Sequence, residues 1–239
     1  MNLLRDEELV SLIAQSGGKW IFMGLESIDP ENLKSVSKGF NKPDEYRAIL
    51  ERLARQGLYA ITSFIFGMDN DRPGVAQRTL QVIRSWPPGL PVFGLLTPYP
   101  ATPLYDRLAS SGRLTRPKHW LEFKPFTMDF SPLGISADQA EKEVRQAWES
   151  SYNPAAIASA MEWLESKSFP DRLIHLLARL AFRGIYFPQM RWQEWLRLLF
   201  ENRGPILYSV YQALEMKFRS RPKDPQSIDT RRTVQRPAQ

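Results

Sequence analysis

The sequence predicts an α/β fold with a short parallel sheet, followed by a mostly helical C-terminal region. Three observations predict this. The nearly continuous apolar runs "KWIFMG", "LYAITSFIFG" and "PVFGLLTPYP" are each bounded by glycine or proline, as strands buried on both faces are. Helical patterns of about 10 to 15 residues separate them, the spacing of βαβ units. From about Arg116 onward the strand signal gives way to aromatics, prolines and then helices. Three parallel strands make an incomplete sheet, too few to close a barrel.

Each element has a local reason. Residues Glu7 to Gln15 alternate charges and aliphatics at helical spacing, and Gly17-Gly18 stop that helix. "KWIFMG" is the first strand. Asp29 caps the next helix, and Pro30 takes its first position, where its missing N–H costs nothing. After Pro43, the residues Tyr46, Ile49, Leu50 and Leu53 line one helical face up to Gly57. The second strand closes at Gly67. "MDNDRPG" is a turn, Val75 to Ser85 a helix, and the third strand ends at the rigid stretch Pro98 to Pro103. Ser136 and Gln139 then open a capping-box helix. Four more helical segments follow: Ala155–Ser166, Asp171–Arg183, Met190–Phe200 and about Pro205–Phe218. Leu173, Leu176, Leu177 and Leu180 form the apolar face of the second, and Trp192, Trp195, Leu196 and Leu199 that of the third. The expected division is an α/β unit at 1–115, an aromatic-rich linker with helices at 116–219, and a basic tail at 220–239.

The 239 residues are 43% hydrophobic and 24% charged, ordinary for a globular chain. The net charge of +6 is not spread over the fold, because Lys217 to Gln239 hold seven basic and two acidic residues. The basicity belongs to a tail rather than to a folded groove, so nucleic acid is not the expected partner. A tail of this composition is expected to be disordered, with contact to an anionic membrane or to nucleic acid as the alternative. There is no cysteine, which leaves no thiolate within the chain for an iron–sulfur cluster, a zinc site or covalent catalysis. No signal-peptide pattern or long apolar span is read, so a cytoplasmic protein is expected.

Ligands of parallel α/β folds meet the C-terminal ends of the strands. Those ends carry Gly24-Leu25-Glu26-Ser27, Ser63 with Gly67 and Asp69 beyond it, and Leu96-Thr97-Pro98. A carboxylate there can accept two ribose hydroxyl hydrogen bonds, and Lys38, one helix later, can meet a ligand carboxylate. Glu26 has a second reading as a structural group at a strand end. His119 and His175 are the only histidines and lack a second ligand at metal spacing, so structural roles are expected. "DNDRPG" reads as a turn, with a divalent-ion loop as the alternative. The aromatic and basic helices between Asp171 and Arg219 read as core packing, with membrane contact as the alternative.

"GLESIDPENLKSVSK", "SFIFGMDND" and "LLTPYPATPLYDRL", in this order and spacing, resemble the C-terminal half of a radical S-adenosylmethionine (radical SAM) protein, closest to the cobalamin-dependent class. The resemblance covers about Leu3 to Trp148 and implies part of a TIM-like barrel. It implies that Glu26 contacts the ribose of S-adenosylmethionine, that Lys38 is directed at the methionine carboxylate, and that Ser63 also reaches the ribose. It further implies that Ile65 and Gly67 flank the adenine and that Leu96 and Thr97 meet its edge. The family's CxxxCxxC segment for the [4Fe–4S] cluster and its cobalamin domain have no counterpart here. The resemblance therefore implies a cofactor half-site that is not competent alone, with a partner carrying the cluster. The other readings are a pseudoenzyme, or a docking module whose helices bind a protein or a membrane surface.

Overall fold

A computed structural model describes residues 6–115, 124–186 and 192–219. Helix α1 (Glu7–Gln15) begins where the Asp6 carboxylate accepts from the Leu9 amide at 3.1 Å. Three strands, β1 (Trp20–Glu26), β2 (Tyr59–Phe66) and β3 (Leu90–Leu95), form one parallel sheet in the order β1-β2-β3. Helices α2 (Pro30–Ser35) and α3 (Pro43–Arg55) connect the first pair, and α4 (Val75–Ile83) connects the second. Sequence neighbours are spatial neighbours throughout. That progression is how a barrel wall is built, whereas a doubly wound sheet reverses direction.

The helical face of the sheet holds the core. Tyr46, Ile49, Leu50 and Leu53 of α3 are all buried, as their spacing requires. They pack with Phe64, Phe66, Phe93 and Leu95, and Phe64 stacks on Phe93 at 5.7 Å and on Trp86 at 6.2 Å. The opposite face differs from the expectation of burial on both sides. Thr62, Phe64 and Phe66 are buried, but Ile61, Ser63 and Ile65 between them are only half-buried, and Phe22 on β1 is 66% exposed. Side chains alternate across a strand, so one face is covered and the other is not. Apolar runs report where a strand is suited to be buried, not what covers it.

Helix α5 (Pro103–Ser110) begins where the rigid stretch Pro98 to Pro103 ends: Thr102 caps it by accepting from the Tyr105 amide at 3.3 Å, and Pro103 takes its first position. Helix α6 (Ala137–Tyr152) starts as expected, with the Ser136 hydroxyl accepting from the Gln139 amide at 3.2 Å. The box is half-formed, because the Gln139 side chain turns forward to Glu143. Buried Glu143 accepts from the amides of Gly74 and Ala76 at 2.7 and 2.8 Å. One carboxylate thus satisfies orphan donors at the start of α4 and fixes α6 against it.

Helix α6 also seals the outer edge of β3. Its Trp148 indole donates to the Phe93 carbonyl at 2.7 Å, and its Tyr152 hydroxyl donates to the Pro91 carbonyl at 2.8 Å. Arg179, from α8 (Phe169–Tyr186), donates to the Gly89 carbonyl at 2.7 Å, and the Leu95 amide donates to the Pro125 carbonyl at 2.8 Å. Unpaired edge groups are a liability, and here side chains close them. The outer side of β1 is different: among the described residues no fourth strand pairs with it.

Helices α7 (Pro154–Trp163), α9 (Trp192–Glu201) and α10 (Arg203–Arg219) complete the described chain. Leu176 and Leu180 of α8 are buried as expected, but Leu177 is 56% exposed, and the buried stripe is shared with Arg172, His175 and Arg179. On α9 the expected apolar-face residues Trp192, Leu196 and Leu199 are exposed, as is Phe200. No described helix is long and apolar enough to cross a membrane. His119, the first part of the aromatic segment (116–123) and the basic tail lie outside the described residues.

Replacing Trp148 by Phe keeps the ring against Phe93 and removes the donor to its carbonyl. The expected cost is about 1 to 3 kcal/mol in urea unfolding, the range for a buried acceptor left unmatched. Unchanged stability would show that the β3 edge does not depend on this bond.

Candidate functional site

The C-terminal ends of the strands carry the candidate residues, and β1 departs from regular geometry there. Gly24 pairs with Ser63 and Glu26 with Phe64, so Leu25 is an extra residue in a β-bulge. Bulges re-aim side chains at strand ends. Glu26 has φ 67°, the left-handed region that a non-glycine residue rarely adopts. Its carboxylate folds back over Gly24, whose missing side chain makes the room: a Cβ there would collide with Glu26 Oε1. Two buried side chains hold this backbone. Asn41 donates to the Gly24 carbonyl at 3.0 Å, and the Tyr46 hydroxyl donates to the Leu25 carbonyl at 3.0 Å.

Lys38 is positioned by the end of α2. The Lys38 amide donates to the Leu33 carbonyl and the Ser37 amide to the Lys34 carbonyl, with Ser37 at φ 57°. That is a Schellman ending with serine where glycine is usual. It turns the Lys38 ammonium to 3.7 Å from Glu26 Oε1. The Glu26 side chain is only 13% exposed, and burial raises its carboxyl above the ordinary range against the lowering pull of Lys38. Burial and the nearby Glu26 charge also push the Tyr46 phenol far above its usual range.

Ser63 sits beside Gly24 in the sheet, half-exposed on the uncovered face. Gly67 ends β2 at φ 83°, and the space a side chain would fill is taken by Met128, whose sulfur lies 2.8 Å from an ideal Cβ. Only glycine admits both that dihedral and that contact. The Leu96 amide donates to the Phe66 carbonyl at 2.8 Å, one step beyond β3, and the Thr97 hydroxyl donates to the Leu95 carbonyl at 3.0 Å. The structure therefore joins Glu26 directly to Lys38 and sets Ser63 in the adjoining row. Gly67, Leu96 and Thr97 end the next two strands.

The acidic turn after Gly67 is structural. Asp69 forms an ion pair with Arg113 and accepts from the Leu133 amide. Asp71 is 3% exposed and accepts from the amides of Gly67 and Met68 at 2.8 and 3.1 Å, while Asn32 of α2 donates to its other oxygen at 2.7 Å. It ties α2 to the end of β2, a role that sequence reasoning missed. The signal was an acid three and four residues after amides that must be satisfied at a strand end. Among the described residues no group of acids and histidines is arranged to hold a metal ion.

No family model matches the chain. It is similar to bacteriochlorophyllide d C-12(1)-methyltransferase of Chlorobaculum tepidum, at 29% identity over 164 residues, covering 68% of this chain and 35% of that protein. It is 25% identical over 173 residues to the hopanoid C-2 methylase of Rhodopseudomonas palustris, covering 72% and 32%. It is 28% identical over 107 residues to the anaerobic magnesium-protoporphyrin IX monomethyl ester cyclase of Rubrivivax gelatinosus, covering 45% and 19%. These matches, at low identity, support the resemblance to the radical SAM superfamily. The chain spans about a third of the length of the methyltransferase and methylase relatives it matches.

Burial pushes the Asp71 carboxyl up to about 6, so its ionised form is disfavoured in the fold relative to the unfolded chain. A raised carboxyl holds its proton in the folded state while the unfolded chain has released it. Stability is therefore expected to fall as pH rises from about 4 to about 6, and Asp71→Asn is expected to flatten that slope in urea unfolding. A slope that persists in the variant would assign it to another group.

Proposed function

We propose that the chain is the S-adenosylmethionine-contacting portion of a radical SAM-type protein, resembling that part of a cobalamin-dependent methylase or cyclase. The observation that carries this reading is Glu26: a carboxylate on left-handed backbone at a strand end, room for it made by Gly24, with Lys38 in reach. A strained residue held by surrounding bonds is a pointer to a binding role. Glu26 accepts hydrogen bonds from the ribose hydroxyls, and Lys38 meets the carboxylate of the methionine moiety. Ser63 adds a hydroxyl on the same face. Gly67, Leu96 and Thr97 bound the adenine side, where the Leu96 amide is already engaged and its carbonyl is the backbone group it can offer.

The donor set fits S-adenosylmethionine and does not fit a [4Fe–4S] cluster. These 239 residues include no cysteine, so the thiolates must come from residues outside them. The chain is inactive without those residues, and none of its own residues is assigned to cobalamin. The resemblance implies that reductive cleavage of S-adenosylmethionine is the chemistry the cluster supplies. The outer side of β1, where no strand pairs among the described residues, is where a cluster-bearing segment would add its strand to the sheet.

Calorimetric titration of the chain with S-adenosylmethionine tests the half-site. Saturable heat is expected, weakened about tenfold by Glu26→Gln, which keeps the shape and removes the charge. Gly24→Ala, which displaces the carboxylate, is expected to act in the same direction. No heat at about 10 mM ligand would remove the reading.

A second reading has its own observation. Trp192, Phe200, Leu207 and Tyr211 are exposed on α9 and α10, and a contiguous apolar patch can mark an interaction surface. As a membrane-docking face, it would carry the chain upward with anionic liposomes in flotation, and Trp192→Ser with Phe200→Ser would abolish this. Protein remaining at the bottom of the gradient would dismiss it.

A further inference from the structure

We infer that a cavity at the N-terminal ends of β2 and β3 binds a small organic anion, an oxyanion headgroup on an apolar body. The cavity lies at the opposite end of the sheet from Glu26, between α3, the loop entering β3, and the α6–α7 corner. Its volume is about 520 Å³, within the range of small-molecule sites. Leu50, Leu58, Leu80, Ile83 and Trp86 give it apolar walls.

Its polar lining is unusual. Arg179, Tyr59 and Ser151 all line this cavity, and each has a buried atom without a partner: Arg179 Nε, the Tyr59 hydroxyl and the Ser151 hydroxyl. Buried polar atoms are usually satisfied, and an acceptor bound in this cavity would offer these residues a partner. Arg179 is 3% exposed and donates through one nitrogen to the Gly89 carbonyl, while its Nε has no partner among the described residues.

The charge is equally one-sided. No aspartate or glutamate lines the cavity, and the exposed Arg84 adds a second guanidinium to its wall. Asp171, on the same helix, is engaged by Lys19 at 2.9 Å and Ser168 at 2.8 Å. Burial lowers the Arg179 guanidinium to about 10, still charged at neutral pH, while burial holds neighbouring His175 neutral at about 3. Water can satisfy hydroxyls, but it does not neutralise a buried cation. A carboxylate or phosphate does both, because it can neutralise the guanidinium and accept hydrogen bonds from N–H and O–H donors.

The test uses the full chain with octanoate, hexyl phosphate and uncharged 1-octanol as probes. Octanoate or hexyl phosphate is expected to saturate one site below about 1 mM, and the tighter of the two identifies the headgroup. 1-Octanol is expected to bind at least about tenfold more weakly. Arg179→Met also loses the bond to Gly89 and can weaken the fold, so two milder variants carry the test. Tyr59→Phe is expected to weaken binding about tenfold, and Ser159→Trp, at the rim, to block it. No saturable binding of either anion at about 10 mM would overturn the inference, as would binding that survives both variants or equal binding of 1-octanol.

Discussion

The outer edge of β3 is buried, and much of the fold serves to satisfy it. A backbone carbonyl buried without a donor costs free energy comparable to a lost hydrogen bond. The carbonyls of Gly89, Pro91 and Phe93 face away from β2, and they receive Arg179, Tyr152 and Trp148 in turn. Pro91 has no amide to satisfy, which suits the outer side of β3, where no further strand pairs among the described residues. The rings that donate also pack: Trp148 meets Phe93 edge-on at 5.7 Å and stacks on Tyr152 at 5.3 Å. Helices α6 and α8 are thus positioned by hydrogen bonds to strand backbone as much as by apolar contact. Glu143 then fastens α6 to the start of α4, so the helix that closes the edge also fixes the β2–β3 crossover.

The two edges of the sheet have opposite treatments, and the candidate site lies near the open one. At β3, side chains close the edge and exclude a further strand. At β1, no strand covers the outer side among the described residues, and Phe22 stands exposed on the same strand. The bulge at Leu25 and the left-handed Glu26 follow directly from that strand, held by Asn41 and Tyr46 from the α2–α3 side. The strained residue is therefore supported from within the chain, and its geometry does not wait for a neighbour. What a neighbour adds is cover for the uncovered face on which Ser63 and Gly24 lie.

Most of the α/β unit was legible because its signals are local. The Asp29-Pro30 start of α2, the Tyr46, Ile49, Leu50 and Leu53 face of α3, and the Ser136 cap of α6 each depend on spacing within a few residues. Glu26 and Lys38 are each legible as candidate ligand contacts, but their contact with one another is not, nor is the Schellman turn that delivers the lysine, since serine is an uncommon residue for that position. Asp71 was hidden because its partners come from Asn32, 39 positions away, as well as from adjacent amides. The α8 face is only partly legible for a related reason. Leucine spacing indicates one stripe, whereas Arg172, His175 and Arg179 are buried beside it, which only the tertiary partners explain.

Those buried basic residues are not a defect of packing. Arg172 donates to Gln212 and lies over the Tyr208 ring at 4.4 Å, so it joins α8 to α10. His175 meets Trp20 at 4.5 Å and Tyr59 at 4.1 Å between ring centres, serving as a flat neutral ring at the foot of the sheet. Arg179 has the hardest position, since desolvating a cation is expensive unless its donors are matched. A leucine there would avoid that cost but leave the Gly89 carbonyl without a donor. A lysine could reach the carbonyl, but only as a single point charge. The guanidinium fork can serve the strand edge with one nitrogen while turning another toward the cavity. The requirement of the β3 edge explains why a donor is there, and the cavity beside it explains why that donor is arginine.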